Sequence, residues 1–216
     1  LAAGCITKPN IGGVNKVKSV AIIGYSVVQP QSRPLTGLDH SFKSAAKFYR
    51  LTERQLAEAR GWQVTPLEKV QTHAAYRSLS SKYDAHLLSG YIRPSDMLSQ
   101  DEQVNLNPKQ REKVRKALGV DGLVSIGFVL TRPTGGFSRT QTPDLVAKVS
   151  FDLYAGKGSK SIWQVSSLPG KPGTPPQLPD DLELASGDET TIATAIAQAV
   201  TTMMELRRQE EAAAKK

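Results

Sequence analysis

The segment DLVAKVSFDLYA (144–155) constrains the fold most, because its residues alternate with the two-residue period of a β-strand. One face carries apolar residues and the other mainly polar ones: Leu145, Ala147, Val149, Phe151 and Leu153 against Lys148, Ser150 and Asp152. The glycine-containing stretch AGKGSK follows, and SIWQVSS then has the composition of a partner strand. Residues 144–167 therefore predict a β-hairpin.

The rest of the chain supplies helices and further strands. KVKSVAIIGYSVV (16–28), the short WQV, and DGLVSIGFVLT (121–131) have the composition of strands. Helical spacing predicts helices over 38–61, from Pro66 onward and over 108–119. A long C-terminal helix is expected to bury Ile192, Ile196, Ala199, Met203 and Leu206, while Arg207 and Arg208 suit its end. We predict an α+β fold, a mixed β-sheet with helices packed on it.

Composition shifts divide the chain. Residues 1–15, with Pro9, Gly12 and Gly13, are predicted to hold a signal remnant and a flexible tether. Residues 16–208 form the predicted α+β domain, and 209–216 a polar tail. Within the domain, the proline- and glycine-rich stretch 167–187 is expected to be an exposed loop, in which Asp180 and Asp181 are solvated charges.

The single cysteine of the chain, Cys5, follows three small residues, Ala2-Ala3-Gly4. This pattern resembles the lipobox of bacterial lipoproteins, in which a peptidase cuts after small side chains and the next cysteine carries a diacylglyceryl group. It departs from the commonest form, which has leucine three residues before the cysteine, where Ala2 stands here. An incidental cysteine in a frayed terminus is the alternative. The resemblance predicts lipidation at Cys5 and a signal peptide upstream of Leu1.

The lipobox also implies a location. In enteric bacteria an aspartate directly after the lipidated cysteine retains the protein in the inner membrane, and this position is Ile6 here. We therefore expect the protein to be lipid-anchored in the outer membrane, facing the periplasm. Two or more acyl chains, palmitate among them, anchor a protein stably.

The order of elements, the anchor cysteine and two short stretches resemble a group of periplasmic lipoprotein domains. The stretches are GVDGLVSIGFV and FDLYAGKGSKSIWQ, in which Asp152, Gly156, Gly158, Ile162 and Trp163 loosely match the group's hairpin. The group includes the curli-secretion lipoprotein, the amino-terminal domain of TolB and the Lpo-type activators of penicillin-binding proteins. The resemblance implies a binding or assembly protein, an accessory or regulator of an envelope machine.

No motif for catalysis, cofactor binding or metal binding is visible in the sequence. His40, His73 and His86 lie in separate segments without metal-ligand spacing. There is no GxSxG motif, and the one thiol is at the anchor position. We predict a protein that is not an enzyme and has no cofactor or metal, with a degenerate envelope enzyme as a further alternative.

Positive charge is concentrated in the first half. Residues 1–118 hold 18 Lys and Arg against 9 Asp and Glu, whereas residues 119–216 hold 10 against 11. Such a field attracts anionic partners. We expect an acidic envelope protein, lipopolysaccharide, anionic lipid headgroups or a cell-wall polymer; the alternative is a basic face that is only solvated. A basic nucleic-acid-binding domain with an incidental Cys5 is the alternative function, although no nucleic-acid-binding motif is present.

The loop RPTGGFSRTQTP supplies the candidate partner-binding residues. Phe137 stands there without a strand or helix period to bury it, between Arg132 and Arg139. Aromatic residues and arginine dominate binding hot spots, so these three residues are predicted to bind a partner. The alternative is that Phe137 packs back on its own hairpin.

Overall fold

The fold is an α+β sandwich, described here from a computed structural model. The structure describes residues 11–28, 42–80, 91–92, 97–98, 106–131, 145–156, 160–171, 176–184 and 187–214. The strands are β1 (Ser19–Val28), β2 (Gln63–Val64), β3 (Tyr91–Ile92), β4 (Gly122–Thr131), β5 (Val146–Ala155) and β6 (Trp163–Pro169). The helices are α1 (Ile11–Val14), α2 (Phe42–Arg60), α3 (Leu67–Thr72), α4 (Ala74–Ser80), α5 (Pro108–Leu118) and α6 (Gly187–Ala213).

The six strands form a mixed sheet in the order β2-β1-β4-β5-β6, with β3 paired to β1. β1 and β4 are parallel, and β4, β5 and β6 are successive antiparallel neighbours. The predicted hairpin is confirmed, and all five residues assigned to its apolar face are buried. The predicted fold class, with its long C-terminal helix, is confirmed as well.

The outer edge of β1 is completed by three separate pieces of chain. β2 pairs in parallel at the start of β1, β3 pairs antiparallel at its end, and Leu98 bridges Gly24 between them. Beside Gly24, the register of β1 against β4 shifts at a bulge. There the Tyr76 hydroxyl donates to the Ile23 carbonyl (2.8 Å) and accepts from the Leu98 N–H (2.9 Å). The Tyr76 hydroxyl thus ties Leu98 to the irregular part of the strand.

Helices cover both faces of the sheet. The long helix α6 packs on β5, β6 and α2, with the Arg207 guanidinium over the Trp163 ring. On the opposite face, Arg111 of α5 lies 4.1 Å from the centre of the Tyr154 ring. α5 begins at a capping box between Asn107 and Gln110 and ends at Gly119, whose φ of 68° is a left-handed conformation that favours glycine.

Two details of the sequence-based interpretation change. The helical stretch after Pro66 consists of two helices, because His73 has an extended backbone and its side chain accepts a hydrogen bond from the Ala75 N–H. β6 extends through Pro169, and Gly170 then packs closely against α6: a Cβ there would lie 3.0 Å from the Ala199 nitrogen. The expected exposed loop is therefore anchored to the domain at its start.

Candidate functional site

All the residues predicted to act in function lie outside the described residues: Cys5, Arg132, Phe137 and Arg139. Their flanking elements, however, are described. The chain enters the sheet at Ser19, the first residue of β1, and the stretch with the other three residues connects the end of β4 to the start of β5. Because β1 and β4 are parallel, Ser19 and Thr131 lie at opposite ends of the sheet. We call the end at Ser19 the proximal end and the end at Thr131 the distal end.

The proximal end is organised around Asp121, which directly precedes β4. Its carboxylate accepts hydrogen bonds from the N–H groups of Lys18 (2.9 Å) and Ser19 (3.0 Å) and from the Ser19 hydroxyl (3.1 Å). These donors hold the pKa of Asp121 below its usual value, chiefly through the Lys18 N–H. The segment before β1 is thereby fastened to the centre of the sheet.

A partly buried ion cluster joins the last turns of α2 and α6 at the same end. Glu211 accepts hydrogen bonds from Arg207 (2.9 Å) and Arg60 (3.0 Å), and Arg60 also contacts Asn15 in the N-terminal segment (3.4 Å). Arg207, predicted to suit the end of the helix, is fully buried there against Trp163. Burial lowers the pKa of Arg207.

The side of α6 facing the core also differs by one position from the predicted stripe. Ile192, Ile196, Ala199 and Met203 are buried as expected, whereas Leu206 is only half-buried. Arg207 takes the buried place near the helix end, because its planar guanidinium lies over the Trp163 ring while Glu211 compensates its charge.

A shallow cavity of about 300 Å³ lies between α2, α6 and the proline-rich segment 176–184. Its lining alternates in charge, with Arg54 and Arg208 near Glu58 and Glu205. Arg54 forms ion pairs with Glu58 and Asp181, both at 3.0 Å, so Asp181 is paired rather than only solvated. Equal numbers of acidic and basic side chains in the lining give this groove no preference for an anionic or a cationic ligand.

Glu53 of α2 is the ionisable group that sequence reasoning missed. It is half-buried, and desolvation together with the nearby Glu68 raises its pKa to about 7, against the opposing effect of Arg50. Arg50 pairs with Glu68 at 2.6 Å. No sequence signal distinguishes Glu53 from the other charged residues of α2, because its environment is created by the packing of α3.

Other buried acidic groups serve structure. Glu189 near the start of α6 accepts a hydrogen bond from Ser44 and pairs with Lys47 at 3.3 Å, joining α6 to α2. Asp152, predicted to lie on the polar face of β5, is buried opposite Ser125 of β4. Both carboxylates belong to the packing of helices and strands.

In the described part of the chain, no group of three or more His, Cys, Asp or Glu residues is arranged to hold a metal ion. His40 and His86 lie outside that part, and His73 caps α4. None of the helices described here is long and apolar enough to cross a membrane.

No protein-family model and no curated protein matches the chain. Among solved structures, the chain is similar to the lipoprotein GNA1162 from Neisseria meningitidis, at 16% identity and a TM-score of 0.40, over 86% of this chain and 99% of that one. It is also similar to the hypothetical protein CT253 from Chlamydia trachomatis, at 12% identity and a TM-score of 0.45, over 90% of this chain and 96% of that one. A third similar structure is a dodecamer of PelC from Paraburkholderia phytofirmans, at 13% identity and a TM-score of 0.34, over 92% and 96% of the two chains. The solved structures that this chain resembles thus include a lipoprotein.

Proposed function

We propose that the protein is a non-enzymatic lipoprotein of the bacterial envelope, anchored through Cys5 in the outer membrane, whose periplasmic domain binds another envelope component. The role would be that of an accessory or regulator of an envelope machine. The partner would be a protein, or an anionic cell-wall or lipopolysaccharide component.

The main support for this proposal is that the predicted anchor and the predicted partner-binding residues belong to opposite ends of the domain. Only six peptide steps separate Cys5 from Ile11, and the segment that follows is fastened to the proximal end through Asp121. The connection that contains Arg132, Phe137 and Arg139 joins β4 to β5 at the distal end. A strand of ten residues is roughly 30 Å long. An anchor at Cys5 would therefore hold the proximal end near the bilayer and leave the distal end free for a partner.

Metabolic labelling with a palmitate analogue tests the anchor. We expect label on the wild-type protein and none on Cys5→Ser, which should remain as an unprocessed precursor. A matched control moves the thiol by two residues: Cys5→Ser combined with Thr7→Cys should also stay unlabelled, because the small residues would no longer directly precede the cysteine.

Equal labelling of the wild type and Cys5→Ser would contradict the lipoprotein proposal. Labelling of the variant with the displaced thiol would show that any cysteine in this segment is acylated, and would contradict the assignment of a lipobox.

A further inference from the structure

The proximal end of the domain carries exposed positive charge that ion pairs do not neutralise. Lys16 and Lys18 precede β1, and Lys160 lies in the turn between β5 and β6; all three are exposed. Among the described residues, none of them forms an ion pair. Their shared position at one end of the sheet creates a local cationic surface.

The acidic groups of the same end are already engaged. Glu210 and Glu211 pair with Arg207 and Arg60, which balances these four charges. Asp121 directs its carboxylate at the N–H groups of the β1 start. The end of α5 contributes one further net positive charge, because the single carboxylate of Glu112 pairs with both Arg115 and Lys116. The exposed charge of the proximal end is therefore net positive.

The length of the preceding chain limits how far this surface can lie from a membrane. The six peptide steps from Cys5 to Ile11 span at most about 20 Å when fully extended. Charges interact over a Debye length of about 8–10 Å at physiological salt. A tether of this length allows the cationic end to contact the lipid headgroups. It also keeps that end within a few Debye lengths of the membrane surface.

We propose that the proximal end binds anionic phospholipid headgroups through Lys16, Lys18 and Lys160, and that this contact orients the domain with its distal end away from the bilayer. The orientation rests on the proposed anchor at Cys5, whereas the affinity for anionic headgroups is a property of the domain surface alone. Each lysine near an anionic membrane surface strengthens binding about fivefold.

Vesicle sedimentation with the unacylated full chain tests the contact. The Cys5→Ser chain should sediment with vesicles of equal parts phosphatidylglycerol and phosphatidylcholine, and remain in solution with phosphatidylcholine alone or at high salt. Adding Lys16→Gln, Lys18→Gln and Lys160→Gln should weaken binding to the anionic vesicles by at least about tenfold.

A matched control removes the same charge elsewhere. Lys69 of α3, Lys109 in the first turn of α5 and Lys171 are exposed lysines without ion pairs in the described region. They lie outside the proximal end, and Lys171 follows the distal end of β6. Their replacement by glutamine should change binding less than about twofold. Unfolding midpoints of both triple variants confirm that each is folded.

Equal losses for the two triple variants, or no preference of the Cys5→Ser chain for anionic vesicles, would overturn the proposal. Because every chain in this assay lacks the acyl site, the result does not depend on acylation. Failure of palmitate labelling would therefore remove the anchor and leave a measured headgroup contact standing, and the converse result would keep the anchor and remove the contact.

Discussion

At the scale of single residues, Glu53 gives the domain a pH response. Its pKa is about 7 in the folded protein against 4.5 for an ordinary glutamate. The folded state therefore holds this proton more tightly than the unfolded state, and the stabilisation is complete below about pH 4.5 and lost as the pH rises through 7. The cause is mainly burial of the Glu53 side chain, and the negative charge of Glu68 in α3 adds repulsion.

We expect Glu53→Gln, which mimics the protonated group, to match the wild type near pH 4.5 and to be more stable at pH 8. The gain should be about 1 kcal/mol, because solvent screens part of the penalty at this half-exposed site. Urea unfolding across this pH range measures it. Glu68→Gln should flatten the same pH dependence, since it removes the repulsion and frees Arg50 to face Glu53. Parallel pH profiles for the wild type and Glu53→Gln would contradict this interpretation.

At the scale of elements, the bulge in β1 depends on tyrosine hydroxyls from two helices. Tyr76 of α4 makes two hydrogen bonds to buried backbone groups, of Ile23 and Leu98, whereas Tyr49 of α2 makes one, to the Ile22 carbonyl at 3.2 Å. Both rings are fully buried. The two positions therefore form a matched pair that differs in the number of bonds lost when a hydroxyl is removed.

Tyr76→Phe should lower the free energy of unfolding by about 2–3 kcal/mol and Tyr49→Phe by about 1 kcal/mol, because a buried polar group left without its partner pays its full desolvation cost. Urea denaturation of the two variants measures the difference. Equal losses would mean that Leu98 is not held by the Tyr76 hydroxyl.

Some of these elements could be predicted from the sequence alone, and others could not. The β5–β6 hairpin, α5 with its caps and α6 follow from local periodicity and capping residues, which act over a few positions. The edge of β1 could not be predicted, because β2, Leu98 and β3 are brought together only by tertiary contacts and are too short to have a period. Of the candidate site, the lysines of the proximal end are visible in the sequence, but their common location depends on the strand order.

At the scale of the whole molecule, Glu211 holds four parts of the chain together. It compensates Arg207 over Trp163 of β6 and Arg60 of α2, which in turn contacts Asn15 before β1. Removing this carboxylate leaves Arg60 without its acidic partner and Arg207 with only the longer contact to Glu210 (3.6 Å), whereas removing Arg207 leaves Glu211 paired with Arg60. The two changes should therefore differ in cost.

Glu211→Gln should lower the free energy of unfolding by about 3 kcal/mol, and Arg207→Met, which keeps the apolar packing on Trp163, by less than about 1 kcal/mol. In the double variant the loss should be smaller than the sum, since only Arg60 then lacks its carboxylate. A double-mutant cycle by urea unfolding measures this coupling. Additive effects would show that Glu211 and Arg207 act independently.

The position of β1 in the sheet has a consequence for biosynthesis. β1 lies between β4 and the short edge pieces, yet 102 residues separate Ser19 from Asp121, at the start of its main partner strand. The β4–β5–β6 meander is local and can form quickly, whereas parallel pairing over such a separation is slow. A chain that emerges amino terminus first therefore presents SVAIIGYSVV, uncharged and without proline, long before it can be paired. This strand is the segment that a holding chaperone must shield to prevent two nascent chains from aggregating.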